Sequence, residues 1–223
     1  MNIDSITSTR KTESGYIPVE VIWAKRLFDL VFAITGLAVT ALLLPFIALA
    51  IKLDSPGPIL FQQHRIGHAS SKRTELFWMY KFRTMRTDAE SRTGAVWATE
   101  QDPRVTRIGR FMRKTRLDEL PQLINVLKGE MSVIGPRPER PGFYSKLETA
   151  IPYFAERTYG LKPGITGLAQ VNQGYDRDIE DVRSKVAFDH AYSLSLSNFS
   201  GWLRADLGIA IKTAVVMICG RGQ

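Results

Sequence analysis

Cysteine is nearly missing from this chain. Cys219 is the single one, so no internal disulfide can form, which fits a reducing compartment. Cys219 lies in an apolar run near the C-terminus with no histidine within a few residues, and it reads as packing, not as a thiol nucleophile. Internal repeats, low-complexity runs and a Walker phosphate loop are also absent. No recognised DNA- or RNA-binding motif occurs, and the aromatic residues do not interleave with the basic stretch. From Leu30 to Ile51 charge itself is missing, and LVFAITGLAVTALLLPFIALAI is about the length that spans a bilayer as a helix. The segment is too long and too late for a simple signal peptide, and no small-residue cleavage site follows before Lys52. A buried core helix would show a polar stripe, which this segment lacks.

What is present describes a folded protein. The 223 residues are 44% hydrophobic and 23% charged, enough for one domain with a sizeable core and short appendages. The balance is basic, 30 Lys+Arg against 22 Asp+Glu for a formal charge of +8, which suits nucleic acid, anionic lipid or phosphate-rich small molecules. Basic residues flank the apolar segment on both sides, Lys25 and Arg26 before it and Lys52 and Arg65 after it. Positive flanks mark the cytoplasmic side, so both ends prefer the same face of the membrane. A straight span would leave one basic flank outside, and a re-entrant helix that bends at Leu44–Pro45 would satisfy both. Both geometries remain open on this argument.

Residues 1–22 read as a flexible polar tail, 23–54 as the membrane helix, re-entrant or spanning, and 55–223 as the folded domain that would carry any chemistry. ILFQQHRIG and ELFWMYKFRTM read as two strands of a short β-hairpin joined by the polar stretch His68–Thr74. Residues 87–103 are mostly polar and read as a loop. Val105, Ile108 and Met112 then fall at helical spacing among arginines 104, 107, 110, 113 and 116, most of which suit anionic headgroups. The run Trp202 to Cys219 is apolar with sparse charge, and spacing does not choose between the core and the membrane interface. The fold class expected is α+β, mainly helical, with interfacial amphipathic helices beside the hairpin.

The candidate reactive centre is Asp118–Glu119 in RLDELPQLINVLKGEMSVIGPRPE. Leu120, Leu123, Ile124 and Leu127 follow helical spacing, Pro121 suits a first turn and Gly129 a stop. The pair therefore sits at or just before a helix N-terminus, where carboxylates and phosphates are both favoured. An aspartate in that place is commonly only a cap. Two adjacent carboxylates point different ways, however, so one can attack as a nucleophile or bind a divalent cation while the other does something else. Arg113, Arg116 and Arg137 are near enough in sequence to hold a substrate's negative charge. Gly135–Pro138 reads as a rigid turn presenting Arg137. Lys162–Gly167 reads as a tight loop whose backbone N–H groups can form a phosphate nest.

Taken in order, these pieces resemble the bacterial sugar transferases, the monotopic phosphoglycosyl transferases. The resemblance rests on KRLFDL at 25–30, GPILFQQHRIG at 57–67, YKFRTM at 80–85, residues 106–139, LKPGITGLAQVN at 161–172 and residues 188–213. It implies transfer of a sugar 1-phosphate from a UDP-sugar to a polyprenyl phosphate such as undecaprenyl phosphate, on the cytosolic face of the bacterial inner membrane. It implies Asp118 as the nucleophile of a phosphosugar–aspartyl intermediate. Glu119 would assist either a metal or proton transfer. Arg113, Arg137 and Lys81 would contact phosphate, and Pro163, Gly164, Thr166 and Gly167 the nucleotide. The implied cofactor is Mg2+, held by Asp118 and Glu119, and the implied partners include membrane lipids but no nucleic acid. The family often breaks its membrane helix at Ser-Pro, where this chain has Leu44–Pro45 and its nearest hydroxyls at Thr35 and Thr40. Larger relatives add an N-terminal multi-span domain, so a minimal catalytic unit is expected here. Two other classes stand beside this one: a membrane-tethered nucleic-acid binder, and a scaffold in which Asp118 only caps a helix. The sugar and the oligomeric state are not legible.

Overall fold

The computed structural model describes residues 15–69, 73–89, 102–173 and 178–219. Most of the expected polar tail and of the 87–103 loop lies outside these residues. Among the described residues there are seven α-helices, two short 3-10 helices and two small sheets. Helix α1, Val19–Asp54, is 36 residues long, about 54 Å, and starts ahead of the expected residue 23 because Ile17 and Val21 are buried in the core. Its helical backbone is continuous, with Pro45 inside it. The Thr40 hydroxyl donates to the Gly36 carbonyl one turn back (2.7 Å), so it is engaged before the proline is reached.

The buried positions of α1, Val21, Asp29, Ala33, Thr40 and Ile51, form a narrow stripe along its whole length. Val21 packs with Ile134, Tyr192 and Trp202, and Ile51 packs with Phe82 and Met112. Both ends of the helix therefore rest on the same body. The opposite face is apolar and uncovered, including Leu27, Val31, Ile34, Leu42, Phe46, Leu49 and Leu53. By length and composition α1 is able to cross a membrane.

Charges fix this helix in place. Lys25 pairs with Asp206 (3.0 Å), which also accepts from Tyr192 Oη and Trp202 Nε1 (both 2.8 Å). Asp29 accepts from Ser132 Oγ (2.9 Å) and the Val133 amide (2.8 Å). At its C-terminal end, Asp54 accepts from the Ile108 amide (2.8 Å) at the start of α2, Arg107–Thr115. Arg26 donates to the Val126 and Leu127 carbonyls (2.7 and 2.9 Å) at the end of α3, Gln122–Lys128. An acid at one helix start and an arginine at another helix end both match the helix dipole.

Strands β1, Leu60–Ala69, and β2, Thr74–Phe82, pair antiparallel as the expected hairpin, with Leu60 opposite Phe82 and Ile66 opposite Leu76. Strands β3, Ser132–Ile134, and β4, Gly164–Thr166, pair parallel. The two Gly/Pro segments that looked separate in sequence are here one structure. Gly135 N donates to Thr166 O and Gly164 N to Pro136 O (both 2.8 Å). A Cβ on Gly164 would lie 2.1 Å from Gly135 N, and one on Gly167 would lie 2.2 Å from Gly135 O, so glycine is what allows the backbones to meet. Helices α4, Pro141–Ala150, α5, Leu168–Asn172, and α6, Ile179–Ser195, complete the body. The last helix, α7, Phe199–Ile218, buries Trp202, Asp206 and Ile209. It leaves Leu203, Leu207, Ile211, Val215 and Ile218 exposed as an apolar stripe, so it serves core and surface at once.

Candidate active site

The amphipathic helix α2 ends abruptly at Arg116, whose φ of 57° places a non-glycine residue in the left-handed region. Such residues cost on the order of 1 kcal/mol and persist where the surroundings hold them. The reversal sends the chain into a single 3-10 turn, Leu117–Glu119, before Pro121 opens α3. The acidic pair thus sits in its own turn between two helices. Both side chains are buried, Asp118 at 6% and Glu119 at 5% exposure, yet their surroundings differ.

Glu119 is clamped. Its Oε1 lies 2.9 Å from Lys81 Nζ and 3.3 Å from Arg137 Nη2, and its Oε2 lies 3.6 Å from Arg116 Nη1. Burial works to raise its pKa, but Lys81, Arg137 and Arg116 outweigh burial and hold it well below the usual carboxylate range. Asp118 makes no side-chain hydrogen bond or ion pair among the described residues, and it faces a cavity of about 400 Å3. Burial pushes its pKa up to about 6, with Lys81 opposing and Glu119 adding to the rise.

The cavity gathers Asp118 with Lys81, Arg113 and Arg137, which were singled out in the sequence. Arg113 is steadied by Nε donating to Thr84 Oγ1 (3.0 Å). Burial lowers the Lys81 pKa, with Glu119 opposing and Arg137 assisting. Residues 163–167 do not line this cavity. Gly164–Thr166 form β4, and the Gly164 amide, expected in a phosphate nest, is committed to Pro136 O beside the turn that carries Arg137.

Arg65 and Arg140 also line the cavity and were not singled out as site residues. Arg65 donates through Nη1 to Pro138 O (3.0 Å) and through Nη2 to Gln63 Oε1 (2.8 Å). Burial, then neighbouring Arg137, lowers its pKa to about 10. Strand alternation, which puts Phe61, Gln63 and Arg65 on one side of β1, was the signal that would have found it. Arg83 also touches the cavity, but its guanidinium is spent on the turn after α1, donating to Ser55 Oγ, Ser55 O, Pro56 O and Pro58 O. Arg157, behind the site, pairs with Asp189 and donates to the Arg137 carbonyl (3.4 Å).

Mg2+ commonly takes one or two carboxylates together with substrate phosphates. Two adjacent carboxylates are present, and Glu119 Oε2 is buried with no hydrogen-bond partner, so the donor set fits an ion that arrives with a phosphate. No cluster of three or more His, Cys, Asp or Glu able to hold a metal without substrate occurs among the described residues.

A cation-lined cavity around one unpartnered carboxylate has the chemistry to receive an anion, and the body that holds it carries an uncovered apolar helix long enough to cross a membrane. The chain belongs to the bacterial sugar transferase family, which it matches over residues 20–220. It is 43% identical over 198 residues to a UDP-N-acetylgalactosamine-undecaprenyl-phosphate N-acetylgalactosaminephosphotransferase of Aeromonas hydrophila, covering 89% of this chain and 44% of that one. It is 42% identical over 196 residues to the exopolysaccharide production protein PSS of Rhizobium leguminosarum bv. phaseoli, covering 86% of this chain and 93% of that one. It is 39% identical over 194 residues to a UDP-glucose:undecaprenyl-phosphate glucose-1-phosphate transferase of Xanthomonas campestris pv. campestris, covering 86% of this chain and 38% of that one. The chain thus spans less than half the length of the Aeromonas and Xanthomonas relatives and nearly all of the Rhizobium one.

Proposed function

We propose that this protein transfers a sugar 1-phosphate from a UDP-sugar to a polyprenyl phosphate, undecaprenyl phosphate in the bacterial membrane, as the first step of a surface polysaccharide or glycan. One observation carries the reading: Asp118 is the unpartnered carboxylate in a cationic cavity, while its neighbour Glu119 is held by three cations.

In the first step an Asp118 oxygen attacks the sugar-side phosphorus of the diphosphate. The bond from that phosphorus to the bridging oxygen breaks, UMP leaves with the electron pair, and a phosphosugar–aspartyl ester remains. In the second step a phosphate oxygen of the acceptor attacks the same phosphorus, and the Asp118 carboxylate is released. A carboxylate approaching a diphosphate meets strong repulsion, which Arg113, Arg137, Lys81 and Arg65 offset in a site shielded from water. Glu119 stays ionised through the neutral range and is poorly suited to carry a proton, so its part is to hold Lys81 and Arg137 in place. Asp118 and Glu119 would be the oxygen donors for Mg2+, which would supply further charge to offset the phosphates. Residues 163–167 serve the nucleotide only indirectly, by fixing the turn before Arg137.

The seat is the cytosolic face of the inner membrane, with both ends of α1 on that face. Support comes from the packing of Val21 and Ile51 on one body and from the apolar faces of α1 and α7. In the bilayer α1 is re-entrant, flexing at Pro45 where the Ala41 carbonyl has no helical donor. Tags at the two ends of α1 that label from opposite sides of sealed vesicles would exclude this seat. For the reaction, the purified protein is assayed for UMP release against a panel of UDP-sugars with Mg2+ and undecaprenyl phosphate. A phosphosugar adduct on the Asp118 peptide, found by mass spectrometry when acceptor is withheld, is the expected result. UMP release with no such adduct would remove the covalent step.

A further inference from the structure

We infer that the apolar wall of the cavity formed by Pro58, Leu60 and Phe61 is the slot for the first isoprene units of the acceptor. This inference rests on the transferase reading and adds a subsite to it. The cavity has two kinds of lining. Around Asp118 it is cationic, whereas at Pro58, Leu60, Phe61 and Met85 it is apolar. Leu60 and Phe61 are exposed at 41% and 43% although they lead a strand of the central hairpin.

A UDP-sugar is charged or hydroxylated over most of its length. A polyprenyl phosphate has an anionic head and a hydrocarbon tail, and such an amphiphile matches a cationic floor next to an apolar wall. The start of β1 also packs on the end of α1, where Ile59 clusters with Ile47 and Ile51. Phe46, Leu49 and Leu53 make one exposed row that ends in the last turn of that helix. Five residues later comes Pro58, and the intervening turn is fixed by the four hydrogen bonds of Arg83. A tail lying along α1 in the bilayer is therefore led toward the start of β1, with its phosphate directed to the cationic lining around Asp118. The slot assigns acceptor preference to the start of β1, beside the cationic floor that both substrates share, since Phe61 stands opposite Lys81 in the hairpin.

The test uses the full chain in vesicles, with Phe61→Ser and Leu60→Ser, and with Phe61→Leu as the apolar control. Steady-state kinetics are measured separately for the UDP-sugar and for undecaprenyl phosphate. Each serine variant should raise the acceptor KM about tenfold, equivalent to about 1.4 kcal/mol, with the donor KM within twofold. Phe61→Leu should restore most of the acceptor affinity. Unchanged acceptor KM, or a rise in donor KM alone, overturns the slot, the latter giving the wall to the uracil ring. Vesicle co-sedimentation and thermal melting are run in parallel, and a loss of membrane binding matching the KM change also overturns it. Failure of the native protein to release UMP from any UDP-sugar is a different result, which removes the transferase reading itself.

Discussion

Asp118 and Glu119 are adjacent, equally buried and chemically alike, yet the protein treats them in opposite ways. Burial disfavours the charge of both. For Glu119, three cations within 3.6 Å reverse that effect. For Asp118, Lys81, Arg113 and Arg137 are near but not bonded, and burial wins. The lesson is that direct partnering, more than burial, separates an anion that holds the site together from one available to react. The 3-10 turn makes the separation possible, because it sends one carboxylate to the cavity and the other under it.

The largest test of this contrast is a pair of isosteric changes. Asp118→Asn should reduce UMP release on the order of 10³-fold or more. Its melting temperature should equal or exceed that of the native protein above pH 6, because an uncharged side chain replaces a poorly solvated carboxylate. Glu119→Gln should cost about 3 kcal/mol of stability, since it leaves Lys81 and Arg137 around a neutral group, and it should retain part of the activity. Matching losses of stability in the two variants would dissolve the distinction. A second test is pH. With its pKa raised above 3.8, Asp118 favours the fold when protonated, so that contribution is complete below about 3.8 and lost as pH rises through about 6. Activity needs the carboxylate, so single-turnover UMP release should climb over the same interval. Glu119 has the opposite sign: its contribution is present above its ordinary 4.5 and is lost as pH falls through its depressed value. Lys81→Met should move the activity midpoint upward, because Lys81 is the chief group lowering the Asp118 pKa. The smallest effect is expected of Thr84→Val. Removing the hydroxyl that receives Arg113 Nε should cost about 1 kcal/mol, a fewfold loss in kcat/KM for the donor, without moving the pH midpoint.

Much of this site was legible in the sequence, because its signals are local. Strand alternation marked the hairpin, helical spacing marked α2 and α3, and Pro121 with Gly129 bracketed the helix after the acidic pair. What was hidden depends on contacts between distant residues. LKPGITG has the composition of a loop, and only its meeting with Gly135 and Pro136 makes it a strand. KRLFD looked like a membrane flank, yet Lys25, Arg26 and Asp29 each bond to residues at least 100 positions away. Arg83 and Arg65 both looked like ordinary basic residues. Their different duties follow from how each guanidinium is engaged: Arg83 gives four hydrogen bonds to the turn after α1, whereas Arg65 gives two and faces the cationic lining around Asp118. The exposed stripe of α7 was ambiguous because its buried face includes Asp206, a charge accepted there only with Lys25, Tyr192 and Trp202 around it.

The caps that α1 lends to its neighbours bear on how such a protein can be re-engineered. Asp54 serves the start of α2, Arg26 serves the end of α3, and the reactive turn is the joint between those two helices. The membrane helix is thus a splint across the active site and not a detachable tether. Exchanging it for a generic anchor of equal length and hydropathy would keep the protein on the bilayer. It would also leave the outer ends of the two helices that flank the reactive turn without their charged caps.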